Sequence, residues 1–410
     1  MKRLQSKWTR RFTIYAGLVV VLLGASVVYA VTATEAPAGF DNLTNGFETQ
    51  AQMDADRAVF DEIEQVADGL GPIYNAQSCR ECHQNPVSGA TSQITELRVG
   101  RFDGFTFTDR PGGSLINDRA INPNIQERVA GLDNVSTFRT SLNILGDGFV
   151  ESIDSNTLAA IQAGQSSSFR GAFITVPVNE AGGALRAGRF GWKNQHASLI
   201  SFAADAYLNE MGITSPLQPT ENTSNGVSTA AYDTVADPED HASPTSPNGI
   251  DVETFARFMR STKVPPRDTV AAATSDAIAG ASLFNSIGCN ICHVTSITTA
   301  PAGTVINGGA FTVPAALGSK IIHPYSDFLL HDVGTGDFIV QNGGQGTLTL
   351  MRTPPLWGLR TRSRMLHDGT ALTRNNAILF HTNQAEPVIQ NYINLSLTQQ
   401  NQLIAFLNSL

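Results

Sequence analysis

Two short runs of this chain carry the same side chains in the same order. Residues 76–84 read AQSCRECHQ and residues 289–293 read CNICH, so Cys79, Cys82 and His83 are matched by Cys289, Cys292 and His293. A two-residue gap on a helical turn sets two sulfurs at the separation of two porphyrin vinyl groups, to which the thiols add. The next residue then points its imidazole at the iron. C-x-x-C-H is the attachment pattern of a c-type haem. Zinc held by two C-x-x-C pairs would leave both trailing histidines as coincidence. Disulfides, the ordinary use of cysteine in an exported chain, require no histidine there. These are the only four cysteines, so a dithiol mechanism has none left to cycle. The residues therefore read as two covalently bound c-type haems, with His83 and His293 as iron ligands.

Elements must bring these motifs to their partners. In SDAIAGASLFNSIGCNICH (275–293), Ser275 is placed to cap a helix, and Ile278, Ala281 and Leu283/Phe284 recur near helical spacing. The chain end, SLTQQNQLIAFLNSL, opens with Ser396 and Gln399 as a capping box. Leu403, Phe406, Leu407 and Leu410 follow at i, i+3, i+4, i+7. This spacing predicts a terminal amphipathic helix packed across the haem-binding one. The motifs lie 210 residues apart, too far for one small haem domain. A first domain is expected over 45–265, with a loop insertion at 215–250 rich in Ser, Thr, Pro, Asn and Asp. A second is expected over 270–410. Residues 86–190 are rich in glycine, with short apolar runs such as RGAFITVPV, and predict loops with a few strands.

The chain has 410 residues, 41% hydrophobic and 15% charged, with a net charge of −9. Lys2, Arg3, Lys7, Arg10 and Arg11 are the only charges before a 20-residue uncharged run at 12–31. A positive start, an apolar run and small residues near Val28-Tyr29-Ala30 fit a secretory signal. The run is also long enough to span a bilayer as an N-terminal anchor. Either reading places the bulk outside the cytoplasm, in the periplasm or cell envelope. The acidic body argues against nucleic acid, since nothing would neutralise phosphates. It suits a basic or neutral redox partner, or simply keeps an exported protein soluble.

Several longer runs resemble the di-haem oxidoreductase family. They are GLGPIYNAQSCRECH (69–83), RFGWK…NEMGITSPL (189–217), HPYSDFLLHDVG (323–334), MRTPPLWGL (351–359) and MLHDGTALTRNNAILFH (365–381). The resemblance extends over roughly 45–410. That family is similar, more distantly, to the bacterial di-haem cytochrome c peroxidases and to the maturase that builds the tryptophylquinone of methylamine dehydrogenase. The resemblance implies a mainly α fold of two cytochrome c-like domains, each with one covalently bound haem. Long loops and a few short strands are expected in the first. It also implies a peroxide-facing haem in the first domain and an electron-transfer haem in the second.

The resemblance carries particular residues over. His381 follows His367 by 14 residues, where the peroxidases usually place a methionine ligand to the second iron. On a helix beginning near Thr373, Ala377, Ile378 and His381 share a face. Imidazole in place of thioether favours ferric iron and lowers the potential; the alternative is an exposed histidine at a helix end. Trp192 precedes Leu199 by seven residues, as does the peroxidases' tryptophan between the haems. Trp357 is its rival, and a core tryptophan is the plainer reading. Glu210, in YLNEMGI, matches a distal glutamate that moves a proton between peroxide oxygens, although the matching glutamine is missing and Ser201 or Phe202 stands in its region. An ordinary surface glutamate is the alternative. Arg352 and Arg360 would suit haem propionates. His323 and His331 are candidate propionate partners, ligands or structural histidines. Related peroxidases bind calcium between their domains, but no calcium ligands can be assigned in this sequence.

The far side of the first iron decides the function class. Di-haem peroxidases often place a histidine there, soon after the C-x-x-C-H motif. No histidine occurs from residue 84 to 195, and no methionine between Met53 and Met211. His196 is the nearest candidate. Without it the first iron is five-coordinate or water-bound, as peroxide or dioxygen requires. The leading expectation is an exported di-haem peroxidase that reduces hydrogen peroxide at the first haem. Electrons would come from a small cytochrome c or cupredoxin through the second. The alternatives are a non-enzymatic electron-transfer cytochrome and a di-haem oxidase or oxygenase acting on another substrate.

Overall fold

The computed structural model describes residues 32–237 and 250–410. The N-terminal signal or anchor segment, and the middle of the expected loop insertion, lie outside them. Helices start where caps and apolar spacing agree. Gln50–Asp61 begins at Thr49, whose side chain accepts from the Gln52 amide, and it buries Met53, Asp56 and Phe60. Asp251–Ser261 packs along it and along Leu199–Ala206. With the short helix Asp147–Glu151 they enclose a first core around Phe60, Phe149, Tyr207, Phe255 and Phe258.

A fully buried carboxylate joins the pieces of this core. Glu151 accepts from Arg260 Nε and Nη2 at 2.7 and 3.0 Å, from the Leu199 amide at 2.9 Å and from Asn307 Nδ2 at 2.9 Å. Three segments distant in sequence therefore meet on one side chain. Its removal leaves the buried Arg260 without its counter-charge, which costs more than the ion pair itself contributes. Glu151→Ala is expected to lose about 3–5 kcal/mol of stability, measured as a lower denaturant midpoint. A variant as stable as the parent would contradict this role.

The second core forms where Ser275–Ser286 lies against the chain-end helix Leu397–Leu407. The cap of the former is Thr274, accepting from the Ala277 amide, one residue before the expected Ser275. Its buried residues are Ala277, Gly280 and Phe284, whereas Ile278 is 58% exposed. The cause is Gly280: a Cβ there would collide with the Gln402 carbonyl, so the helices touch at that glycine and the apolar face turns accordingly. The chain-end helix follows its spacing. Its Ser396–Gln399 capping box closes in both directions, and Leu403, Phe406, Leu407 and Leu410 are buried.

The largest sheet is antiparallel and centres on Thr95–Phe102. It pairs along its length with Val135–Thr140, and also with Leu115–Ile116 and Phe107–Thr108. Eleven α-helices with nine shorter 3-10 and π turns make up 33% of the described residues, so helix is the commonest regular element, as expected, with more strand than the resemblance implied. Seventeen strands, most of two residues, join them among the described residues. They are not confined to the first half: Leu330–His331 pairs with Met351–Arg352. Thirty-six glycines and nineteen prolines break periodic runs before they lengthen. Residues after the second motif also return to the first core through Ile297, Val313, Leu317, Ile322 and Phe328. The described part of the insertion is anchored, with Ser224 Oγ donating to the Ile125 carbonyl at 2.7 Å.

Candidate functional site

The second motif opens onto a largely apolar cavity with about 1400 Å³ of empty space, part of it continuous with solvent. Cys289, Cys292 and His293 line it from the segment that follows Ser275–Ser286. Ala377, Ile378 and His381 line it from the short helix Arg374–Leu379 and the residues just beyond. His293 Nδ1 donates to the Tyr325 carbonyl at 2.9 Å, and His381 Nδ1 to the Ala377 carbonyl at 2.7 Å. A bonded Nδ1–H leaves Nε2 bare, the form in which imidazole ligates a metal. Burial pushes His293 down to about 4 and lowers His381 as well, so both rings stay neutral.

The polar groups around this cavity fit a porphyrin with acidic side arms. Arg352, Arg362 and Arg374 line it. Burial pushes Arg352 and Arg362 down to about 10, and Arg374 Nε has no hydrogen-bond partner. Buried guanidinium groups call for an anion, and haem propionates supply two. Arg360 is not in this set. It lies over the Phe40 ring and donates to the Pro266 carbonyl, so of the expected arginine pair only Arg352 lines the cavity, beside Arg362 and Arg374. The spacing around TPPLWGL did not single out the last two.

The remaining histidines separate by environment. His331 is buried with Nε2 2.8 Å from Asp327 Oδ2 and Nδ1 3.8 Å from Cys292 Sγ. Burial alone would lower its pKa, but the Asp327 carboxylate overrides burial and pushes it up to about 10. Cys292, Asp327 and His331 are the only such trio of metal-binding side chains among the described residues. It is not the all-oxygen set that calcium takes. His323 pairs with Glu35 at 3.0 Å, half exposed and outside the cavity. Trp192 is buried on the cavity wall, its Nε1 donating to the Thr140 carbonyl at 2.8 Å and its ring 6.2 Å from that of His367. Trp357 belongs to the first core and does not line the cavity.

The first motif forms a single helical turn, Cys79–Cys82, capped by Ser78, which accepts from the Glu81 amide. His83 repeats the arrangement of the other two imidazoles. Its Nδ1 donates to the Ala90 carbonyl at 3.2 Å, and burial pushes it down to about 4. Burial, reinforced by Glu210 and Glu96, pushes the Cys82 thiol up to about 12; burial likewise pushes Cys289 up to about 12. Such thiols are the opposite of the low-pKa cysteines of dithiol enzymes.

Beside this motif the chain assembles carboxylates. Glu210 sits in the π-helical turn Tyr207–Met211, and its carbonyl accepts from the Asn75 and Ala76 amides at 2.7 and 3.0 Å. It is thereby fastened to the strand of chain that leads into Cys79. Its carboxyl accepts from Asn75 Nδ2 at 2.9 Å and lies beside the Glu96 carboxylate, whose charge acts on it. Arg98 grips Glu96 at 2.6 and 3.2 Å, and Arg139 stands 3.9 Å behind it. Burial works against charge on Glu96, yet the two arginines hold it below the usual carboxylate range. Burial, with the Glu96 charge alongside, pushes Glu210 up to about 8. One of the two carboxyls thus carries a proton at neutral pH. His196 is engaged nearby, with Nε2 3.1 Å from Asp205 Oδ2.

Sequence reasoning missed Glu96 and Arg98. Both point to one face of a strand because they are two residues apart, a weak signal without a partner in view.

A family model described as "Di-haem oxidoreductase, putative peroxidase" matches residues 116–410. The match starts after the first motif, so residues 79–83 stand on their own pattern. No curated protein matches the chain. Among solved structures, it is similar to hydrazine synthase of Kuenenia stuttgartiensis, with 14% identity over 99% of this chain and 100% of that one and a TM-score of 0.43. It is also similar to the diheme peroxidase BthA of Burkholderia thailandensis E264, at 14% identity over 93% and 94% with a TM-score of 0.43. A third is a MauG-like protein associated with microbial copper homeostasis, at 15% identity over 93% of each chain with a TM-score of 0.40.

Proposed function

This chain belongs to the di-haem oxidoreductase family and is an enzyme, and from that premise we propose that it reduces hydrogen peroxide to water at a c-type haem on Cys79, Cys82 and His83. Electrons reach that site through a second c-type haem on Cys289, Cys292 and His293. The carrying observation is an asymmetry between the two motifs. The first has the Glu210–Glu96 carboxyl pair beside it. The second cavity offers two neutral imidazoles, His293 and His381. A proton-bearing carboxyl suits chemistry on a bound oxygen species, and two imidazoles suit closed, electron-carrying iron.

Haem supplies the redox-active iron and the position where a peroxide oxygen binds. The residues do the rest. His83 and His293 would hold the irons, each ring oriented by the carbonyl on its Nδ1. Glu210 delivers its proton to the departing peroxide oxygen. Glu96, fixed by Arg98, keeps Glu210 protonated through like-charge repulsion. Arg352, Arg362 and Arg374 would receive the propionates of the second haem. Trp192 relays electrons from the second cavity. Its indole bonds to the Thr140 carbonyl, and Thr140 pairs with Thr95, the neighbour of Glu96. Two haem-bearing domains, over 45–265 and 270–410, are part of this reading. The donor is a small redox protein, basic or neutral against the acidic body of this chain. The basic, then apolar N-terminus carries the enzyme into the cell envelope as a cleaved signal or an anchor.

The test is an EPR spectrum of the ferric holoprotein before and after peroxide. We expect one high-spin and one low-spin haem, with peroxide changing the high-spin signal. Two low-spin signals that ignore peroxide would leave only the electron-carrier reading.

A further inference from the structure

Peroxide withdraws two electrons at once, whereas a small redox protein delivers them singly. An enzyme that works this way gains from a second oxidisable group beside the reacting haem. Near the first motif the described tyrosines include a completely buried one, Tyr207, three residues before Glu210 in the same turn. Its hydroxyl stands between two carboxylates, 3.2 Å from Asp251 Oδ2 and 3.4 Å from Glu64 Oε1. Glu64 also acts electrostatically on Cys79, whose thiol is pushed up first by burial and then by this carboxylate. On its other side the ring packs edge-on to Phe255 at 5.1 Å. Phe255 touches Phe60 at 6.2 Å, and Phe60 stands 6.4 Å from the His83 ring.

A phenol gives up an electron readily only when its proton leaves in the same event, because the radical cation is a very strong acid. A hydrogen-bonded carboxylate is the group that takes that proton. Burial then keeps the neutral radical from solvent and from other chains. The Tyr207 hydroxyl faces two acids.

We propose that Tyr207 is an oxidisable site of the first haem centre, giving it one electron while its hydroxyl proton passes to Asp251. This rests on the reading of the first haem as the peroxide site. Cleavage of hydrogen peroxide releases one water and draws two electrons into the remaining oxygen, one from the first haem and the other from the Tyr207 ring. The O–H bond of Tyr207 breaks, its proton stays on Asp251, and the ring is left as a neutral radical. An electron from the donor, with return of the proton from Asp251, restores the phenol; a second electron, with two protons from solvent, restores the first haem and releases the remaining oxygen as water.

The experiment freezes the ferric holoprotein within seconds of adding one equivalent of hydrogen peroxide, with haem absorbance followed in parallel. The expected result is an organic radical signal that narrows when the protein is made with ring-deuterated tyrosine. Tyr207→Phe, which keeps the ring contact with Phe255, should lose that signal while the haem bands still respond to peroxide. Tyr74→Phe should retain it. A tyrosine signal that survives in Tyr207→Phe, or disappears in Tyr74→Phe, would overturn the assignment. So would responsive haem bands with no tyrosine signal in the parent protein. Haem bands that ignore peroxide would overturn the proposed function itself, and this inference with it.

Discussion

Glu210→Gln is expected to slow peroxide turnover by about 10²–10⁴-fold, the contribution of a well-placed proton donor. Glutamine preserves the bond from Asn75 Nδ2 and the backbone bonds to Asn75 and Ala76, so the loss should appear in turnover and leave the fold and the haem content intact. The pH dependence adds a second check. Glu210 is pushed up to about 8 by burial and by the adjacent Glu96 charge. Its proton is therefore present at neutral pH and lost as pH rises through about 8, and parent activity should fall on that alkaline limb. The same shift makes folding bind a proton. This group's stabilising effect is complete below the ordinary carboxyl range and fades as pH rises toward about 8. Glu96→Gln removes the repelling charge and frees Arg98, so Glu210 should ionise more easily and the alkaline limb should move to lower pH. In Glu210→Gln that limb should vanish. Turnover within a few-fold of the parent, with an unmoved profile, would return Glu210 to a structural role.

His381→Met is expected to raise the midpoint potential of the second haem by on the order of hundreds of millivolts, within the ~0.8 V range that axial ligands span. Imidazole donates to ferric iron more strongly than thioether does, so its replacement favours the ferrous state. The parent position is well prepared for ligation. The residue lies on the cavity wall just past the helix Arg374–Leu379, and its ring is held by the Ala377 carbonyl. His381→Ala should turn the low-spin signal of this haem high-spin, and added imidazole should restore it. Redox titration and EPR read the two variants independently. A potential and a low-spin signal that ignore both substitutions would show that another residue closes this iron.

Much of the local architecture could be read before any coordinates. The chain-end helix starts at the predicted capping box and buries the predicted stripe, because both signals lie within one helix. The helix before Cys289 was located correctly but rotated wrongly, since contact with Gln402 across Gly280 overrides the apolar spacing of its own residues. The resemblance pointed to His381, Trp192 and Arg352, and all three line the second cavity. It also pointed to Arg360, which faces Phe40 and Pro266, leaving Arg362 and Arg374 on the cavity wall. A guanidinium reaches far enough that one or two positions along an irregular loop decide which side it serves.

The sequence by itself determined the two C-x-x-C-H motifs, and with them the expectation of covalently attached haem. Five consecutive residues on one turn hold their sulfurs and imidazole at distances set by local backbone geometry, whatever surrounds them. The tertiary structure alone decided what each site can do. Glu96 and Glu210 are 114 residues apart, and their charges act on each other only because a strand and a helical turn pack together. Glu151, Tyr207 and the three cavity arginines acquire their partners in the same way. Charge sharing and desolvation depend on distance in space and on exclusion of water, and neither is encoded in the spacing of residues along a chain.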